Sequence, residues 1–91
     1  MADIRISHAH ALPQDAARRA AEQVAEQIAR DYDMALEWNG DVLVFARSGV
    51  SGALVLEPNL AYVEVRLGIL FKAFAPVIEQ KLTEKLRRVF G

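Results

Sequence analysis

Residues 34–68 read MALEWNGDVLVFARSGVSGALVLEPNLAYVEVRLG, and this stretch decides the fold. Its last part alternates. Ala61, Val63, Val65 and Leu67 share one side of an extended chain and Tyr62, Glu64 and Arg66 the other, the period of a strand with one buried face. Upstream of it, Asn39-Gly40-Asp41, Ser48 to Gly52 and Pro58-Asn59 are turn sequences, because glycine and asparagine accept positive φ and proline presets a corner. They divide the stretch into strands over Met34–Trp38, Val42–Arg47, Ala53–Glu57 and Leu60 to about Gly68. The connections are too short for parallel crossovers, so an antiparallel meander is expected. In its middle strands Leu43 and Phe45 oppose Val42 and Val44, while Leu54 and Leu56 oppose Ala53 and Val55. Apolar residues therefore stand on both faces of the sheet.

The flanks supply one more strand and two helices. From Asp3 to His10, Ile4 and Ile6 alternate with Arg5 and Ser7, and His8 and His10 continue on the isoleucine side. Pro13 suits the first turn of a helix, and the run to about Tyr32 is rich in Ala, Glu, Gln and Arg. Ala17, Ala21, Val24 and Ile28 form its apolar stripe, with Asp15 and Arg19, Arg18 and Glu22, and Glu26 and Arg30 spaced for i,i+4 ion pairs. A second helix is expected from about Phe71 to Phe90, with Phe71, Phe74, Ile78, Leu82, Leu86 and Val89 buried. Pro76 also allows a start near Phe74 or Ala75, leaving Gly68 to Ala73 as a bend. The order β-α-β-β-β-β-α describes an α+β fold, an antiparallel sheet with two helices packed on one face, expected as a single domain over residues 1–91.

Composition limits the chemistry. The 91 residues include 11 Lys plus Arg, 12 Asp plus Glu and no cysteine, with 53% hydrophobic. Disulfides, thiol catalysis and thiolate metal sites are excluded. A net charge of −1 gives no general attraction for nucleic acid. Asp3 and Arg5 interrupt any signal-like start, and the apolar stretch from Gly68 to Phe71 lies far short of the roughly 20 residues of a membrane span. A cytoplasmic protein with neither a membrane span nor a nucleic-acid partner is expected.

The remaining candidates are few. His8 and His10 form an H-x-H pair on one side of a strand, but two ligands are too few for a metal site, and a third would have to come from Asp15, Glu37 or another distant carboxylate. A strand exit where the imidazoles cover the core edge explains them as well. Ser7 and His8 point to opposite faces and cannot pair as nucleophile and base. Gly49 to Gly52 has the G-x-x-G spacing of a phosphate-approaching loop, yet it joins two strands with Arg47 as its only nearby base, which reads as a hairpin turn. No catalytic residue, cofactor or metal is expected. Within Phe71 to Gly91, five Lys and Arg face two Glu, favourable to a helix C-terminus by its dipole alone. Lys81, Lys85 and Arg88 are the candidates there for contact with an acidic partner. On the sheet, Val42, Val44, Ala46, Ala53, Val55 and Tyr62 are left for the face without helices, a patch suited to a homodimer or a hydrophobic partner.

Ile4 to Leu12, the Ala/Arg/Glu helix, Leu36 to Asp41, Phe45 to Val50 with Gly52, and Ile78-Glu79-Gln80 together resemble the bacterial polyhydroxyalkanoic acid system family along essentially the whole chain. The resemblance implies an accessory role beside the synthesis or use of polyhydroxyalkanoate storage polymer, with contact to the granule surface or to granule proteins. It carries over no catalytic residue. The element order is also similar to a shortened helix-grip, START-like lipid-binding domain. That likeness implies a second role, a small carrier holding an acyl ligand near Trp38, Phe45, Phe74 and Ile78. At this length most apolar residues are needed for the core, which leaves little lining for such a cavity.

Overall fold

The turn residues place the strands. The computed structural model describes residues 3–91. Asn39 pairs with Val42, Arg47 with Val50 and Glu57 with Leu60, so the hairpins turn on Gly40-Asp41, Ser48-Gly49 and Pro58-Asn59. Gly40, Gly49 and Asn59 take the positive φ values, 61°, 86° and 63°. The resulting strands are β2 (Ala35–Asn39), β3 (Val42–Arg47), β4 (Val50–Glu57) and β5 (Leu60–Leu67). Several boundaries differ from expectation, two of them informatively. Asn39 is the last residue of a strand, and β4 begins at Val50, so Ser51 and Gly52 lie inside the ladder opposite Ala46 and Phe45. Gly52 is there for space: a Cβ on it would come within 2.6 Å of the Phe45 ring and of the Glu64 carbonyl oxygen.

β1 (Ile4–Ala9) pairs antiparallel with β5, giving a five-stranded sheet in the order β1-β5-β4-β3-β2. The chain must then pass from one sheet edge to the other, four strand spacings or about 19 Å. The helix α1 (Gln14–Tyr32) makes that crossing, since its 19 residues extend about 28 Å. Pro13 stands just outside the helix in extended geometry, and its carbonyl accepts the Ala17 N–H at 2.8 Å. Ala17, Ala21, Val24 and Ile28 are buried as expected, together with Ala20 and Ala25. Those alanines let the helix lie close on the strands. Arg18 does not turn to Glu22; its guanidinium donates to the Gly40 carbonyl at 3.0 Å and lies 3.7 Å from the Asp41 carboxylate. The helix ends where Asp33 adopts the left-handed conformation and Met34 N–H bonds back to the Ala29 carbonyl at 3.0 Å.

After β5 the chain bends through a 3-10 turn (Lys72–Phe74) into α2 (Ala75–Phe90), with Pro76 in the first turn. The later of the two expected starts is the observed one. That start removes Phe74 from the buried stripe: Phe74 is exposed, Leu82, Leu86 and Phe90 are buried, and Ile78 and Val89 are half-buried. α2 packs on α1 and β1, so both helices cover the same sheet face. Between them and the sheet lies the core of Ile4, Ile6, Leu43, Phe45, Leu54, Leu56, Val63 and Val65. This is an α+β helix-grip arrangement with one open sheet face.

Candidate functional site

His8 and His10 sit where β1 leaves the sheet, beneath the last turn of α2. Their rings lie 6.4 Å and 5.0 Å from that of Phe90, centroid to centroid. The His10 Nδ1 accepts the Leu12 N–H at 3.1 Å, which puts its proton on Nε2. Both Nε2 atoms are buried without a hydrogen-bond partner. Burial, and then the neighbouring His8, pushes the His10 pKa down from its ordinary value. Two imidazoles closing the edge of the core, with that of His10 held neutral by its surroundings, describe this arrangement. Among the described residues no group of three or more His, Cys, Asp or Glu is placed to hold a metal ion.

Beneath the start of α2 the space between sheet and helices is nearly full. An apolar cavity of about 30 Å³ lies at the far end of the helix pair, against Ile28, Met34, Phe45, Phe71, Ile78 and Leu82. That is one water molecule's share, about a tenth of the smallest ordinary ligand pocket. An acyl chain does not fit this cavity; a separate, open depression of about 290 Å³ lies beside Trp38, against Ala25, Leu36 and Leu43. Trp38 is not beside the smaller cavity. It packs against α1, with the Arg18 guanidinium 4.0 Å from its ring centroid, on the side of the sheet that the helices cover. It is thereby separated from the other apolar candidates.

Those candidates do share a surface. Register puts Val42 beside Val55, Val55 beside Tyr62 and Tyr62 beside Ser7 in one row across the open face. The next row runs Glu37, Val44, Ala53, Glu64, Arg5. Val42, Val44, Ala53, Val55 and Tyr62 are all half-buried, with no helix above them. Polar groups edge the patch. Tyr62 donates its hydroxyl proton to Glu64 Oε1 at 2.9 Å, and Arg5 Nε lies 3.7 Å from the same oxygen. The bond to Glu64 is the main reason that the Tyr62 pKa is raised, with desolvation and the carboxylate charge adding to it and Arg5 opposing.

The basic candidates on α2 have unequal freedom. Lys85 Nζ lies 3.9 Å from the Asp31 carboxylate and its side chain is only 19% exposed, so it ties α2 to α1. Lys81 and Arg88 are exposed. A feature that sequence periodicity did not single out stands at the other end of the helix. Ile69 and Leu70 are 87% and 83% exposed, followed by Phe74 and Val77, each at least half exposed. The signal in the sequence was Gly68-Ile69-Leu70-Phe71 itself, an apolar run adjoining a glycine and falling between two regular elements.

A family model of polyhydroxyalkanoic acid system proteins matches residues 4–90, from the first residue of β1 to the last of α2. The chain belongs to that family. No curated protein matches it. As a polyhydroxyalkanoic acid system protein it is tied to storage-polymer metabolism along its whole folded length, and the matched span includes both exposed apolar regions, the open sheet face and the turn before α2.

Proposed function

We propose that this protein is a non-enzymatic accessory of polyhydroxyalkanoate metabolism that works by binding, in the cytoplasm at storage granules, as a homodimer joined through the open sheet face. Family membership supports the association with granules. What supports the homodimer is the uncovered row of Val42, Val55 and Tyr62 beside Val44 and Ala53. Two such faces pack about 10 Å apart with their side chains interleaved. Charge selects the orientation. The second row has Glu37 at one sheet edge and Arg5 at the other, so a two-fold axis parallel to the strands sets Arg5 of each copy over Glu37 of its mate. An axis across the strands would oppose like charges. Lys81 and Arg88, outside that interface, remain available for an acidic granule protein, with Lys85 between them.

The experiment is co-sedimentation with isolated granules, combined with light scattering of the free protein. The protein is expected to sediment with granules and to scatter with twice the mass of the chain; Val44→Lys is expected to halve that mass. Failure to associate with granules, or with any protein on them, removes the reading.

A further inference from the structure

β2 is the last strand of the sheet, and its outer edge is bare. The order β1-β5-β4-β3-β2 leaves it one strand neighbour among the described residues, β3. The turn at Gly40-Asp41 makes Asn39 and Val42 a hydrogen-bonded pair, and such pairs alternate along an antiparallel ladder. Asn39, Glu37 and Ala35 therefore turn their backbone groups to β3, while Leu36 and Trp38 turn theirs away from the sheet. The register runs from Ala35 to Asn39 without a bulge, and the strand has no proline or lysine, so common protections of a sheet edge are missing.

The helix α1 does not close over this edge. Between the two lies the open depression of about 290 Å³, with Ala25 and Leu43 buried at its floor, Leu36 and Trp38 along the strand, and Glu22 and Glu26 on the helix. An extended segment laid against β2 would bond to the backbone of Leu36 and Trp38. By alternation it would set every second side chain into the depression.

Charge decides which segment fits. Residues 22–47 contain six carboxylates against two cations, Arg30 and Arg47. Asp31 and Asp41 are already paired, with Lys85 and Arg18. Among the described residues no Lys or Arg lies within ion-pair distance of Glu22, Glu26 or Glu37. Arg18 is held at the hairpin end by Gly40 and Asp41, and Arg47 donates to the Tyr32 carbonyl at 2.8 Å. Neither of them lines the depression, nor does Arg30. Glu37 stands between Leu36 and Trp38 but on the opposite face, so the residue set across from it should be Lys or Arg and its two neighbours apolar. The same carboxylate meets Arg5 of the mate in the homodimer, and its two oxygens can accept from both.

Other occupants fit less well. A fatty acid would bring its carboxylate to Glu22 and Glu26 and leave the backbone groups of β2 unpaired. A second copy of β2, in the register that pairs all five of its residues, opposes Glu37 to Glu37 and joins two acidic rims.

We propose that β2 and the adjoining depression are a docking site for an extended segment of a partner protein in which apolar residues alternate with Lys or Arg. The segment adds to the sheet antiparallel to β2, as every other neighbouring pair is arranged. The site is separate from the open face, and its test involves no granule.

The probe is a capped peptide of alternating valine and lysine, titrated into the full chain and followed by the emission of Trp38. Addition is expected to shift that emission to the blue as valine side chains cover the indole. A valine–glutamate peptide of the same length is expected to bind at least about tenfold more weakly. N-methylation of the valines, whose N–H groups face β2 in the antiparallel arrangement, is expected to abolish binding, and N-methylation of the lysines to leave it within about twofold. A Glu22→Lys, Glu26→Lys double variant, its fold checked by the thermal midpoint, is expected to prefer the glutamate peptide. No response up to about 1 mM of the valine–lysine peptide, equal binding of the two peptides, or equal binding after N-methylation of the valines overturns the proposal. A light-scattering mass above that of the dimer that falls in Leu36→Lys would put a second copy on this edge and overturn the choice of partner. Each of these outcomes leaves the granule reading as it stands.

Discussion

The imidazole of His10 lies 5.0 Å from the ring of Phe90, so the end of β1 and the last turn of α2 close on each other through an uncharged histidine. To become charged, His10 must protonate Nδ1, which already accepts the Leu12 N–H, and must do so while buried beside His8.

Its folded pKa is therefore below its unfolded one, and between the two values the unfolded chain binds more protons. The stabilisation is fully present above the unfolded value of about 6.5, declines as pH falls from there through the folded pKa, and then levels off. Thermal unfolding followed by circular dichroism should show a midpoint that falls between pH 7 and pH 5. His10→Asn keeps an acceptor for Leu12 without a titrating ring and should flatten this fall, although its absolute stability is lower. A fall of the same size in the variant would place its origin elsewhere.

Gly40 and Gly52 should both resist replacement by alanine, for different reasons. Gly40 has φ of +61° and open space around it, so Gly40→Ala meets only a backbone penalty, about 1 kcal/mol. Gly52 has ordinary φ, but its Cβ would meet a ring and a backbone carbonyl, neither of them a flexible chain end. Gly52→Ala should cost more, about 1–3 kcal/mol. Chemical denaturation of both variants orders them. Combining Gly52→Ala with Phe45→Leu separates the causes further, since relief by the smaller residue identifies the ring as the obstacle and no relief identifies the Glu64 carbonyl.

Gly52 also shows where sequence pattern stops being informative. Alternation in Ala61, Val63, Val65 and Leu67, and turn residues at Gly40 and Asn59, made the meander and its buried face legible, because those signals are local. The two-sided character of β3 and β4 was legible for the same reason. A glycine needed to seat a ring from the neighbouring strand has no local mark, and beside Ser51 it reads as a turn. Helical phase misplaces Phe74: steps of four join it to Ile78 and Leu82, but the 3-10 turn before Pro76 rotates it outward, and Phe90 fills the buried place at the other end. Ile69 and Leu70 escaped because hydrophobicity is read as burial wherever it adjoins a regular element. Trp38 reads from the sequence as a residue of β2, yet its partner comes from α1, and a contact between residues 18 and 38 depends on how the crossover helix lies across the sheet.

That contact yields the third prediction. Arg18 joins three groups of the first hairpin: its guanidinium faces the Trp38 ring at 4.0 Å, donates to the Gly40 carbonyl at 3.0 Å and lies 3.7 Å from Asp41. The ion pair is solvent-exposed and contributes little; the face-on contact with an indole contributes about 0.5–1 kcal/mol. Arg18→Ala should therefore lower stability by about 1 kcal/mol, and Arg18→Lys should recover only part of it, because an ammonium cannot stack flat on the ring. Trp38 is the only tryptophan in the chain, so its fluorescence reports directly. Its emission should shift to the red in Arg18→Ala as water replaces the guanidinium, and Asp41→Ala should leave it in place. A red shift of equal size in Asp41→Ala would mean that the carboxylate, rather than the indole, holds Arg18 in position.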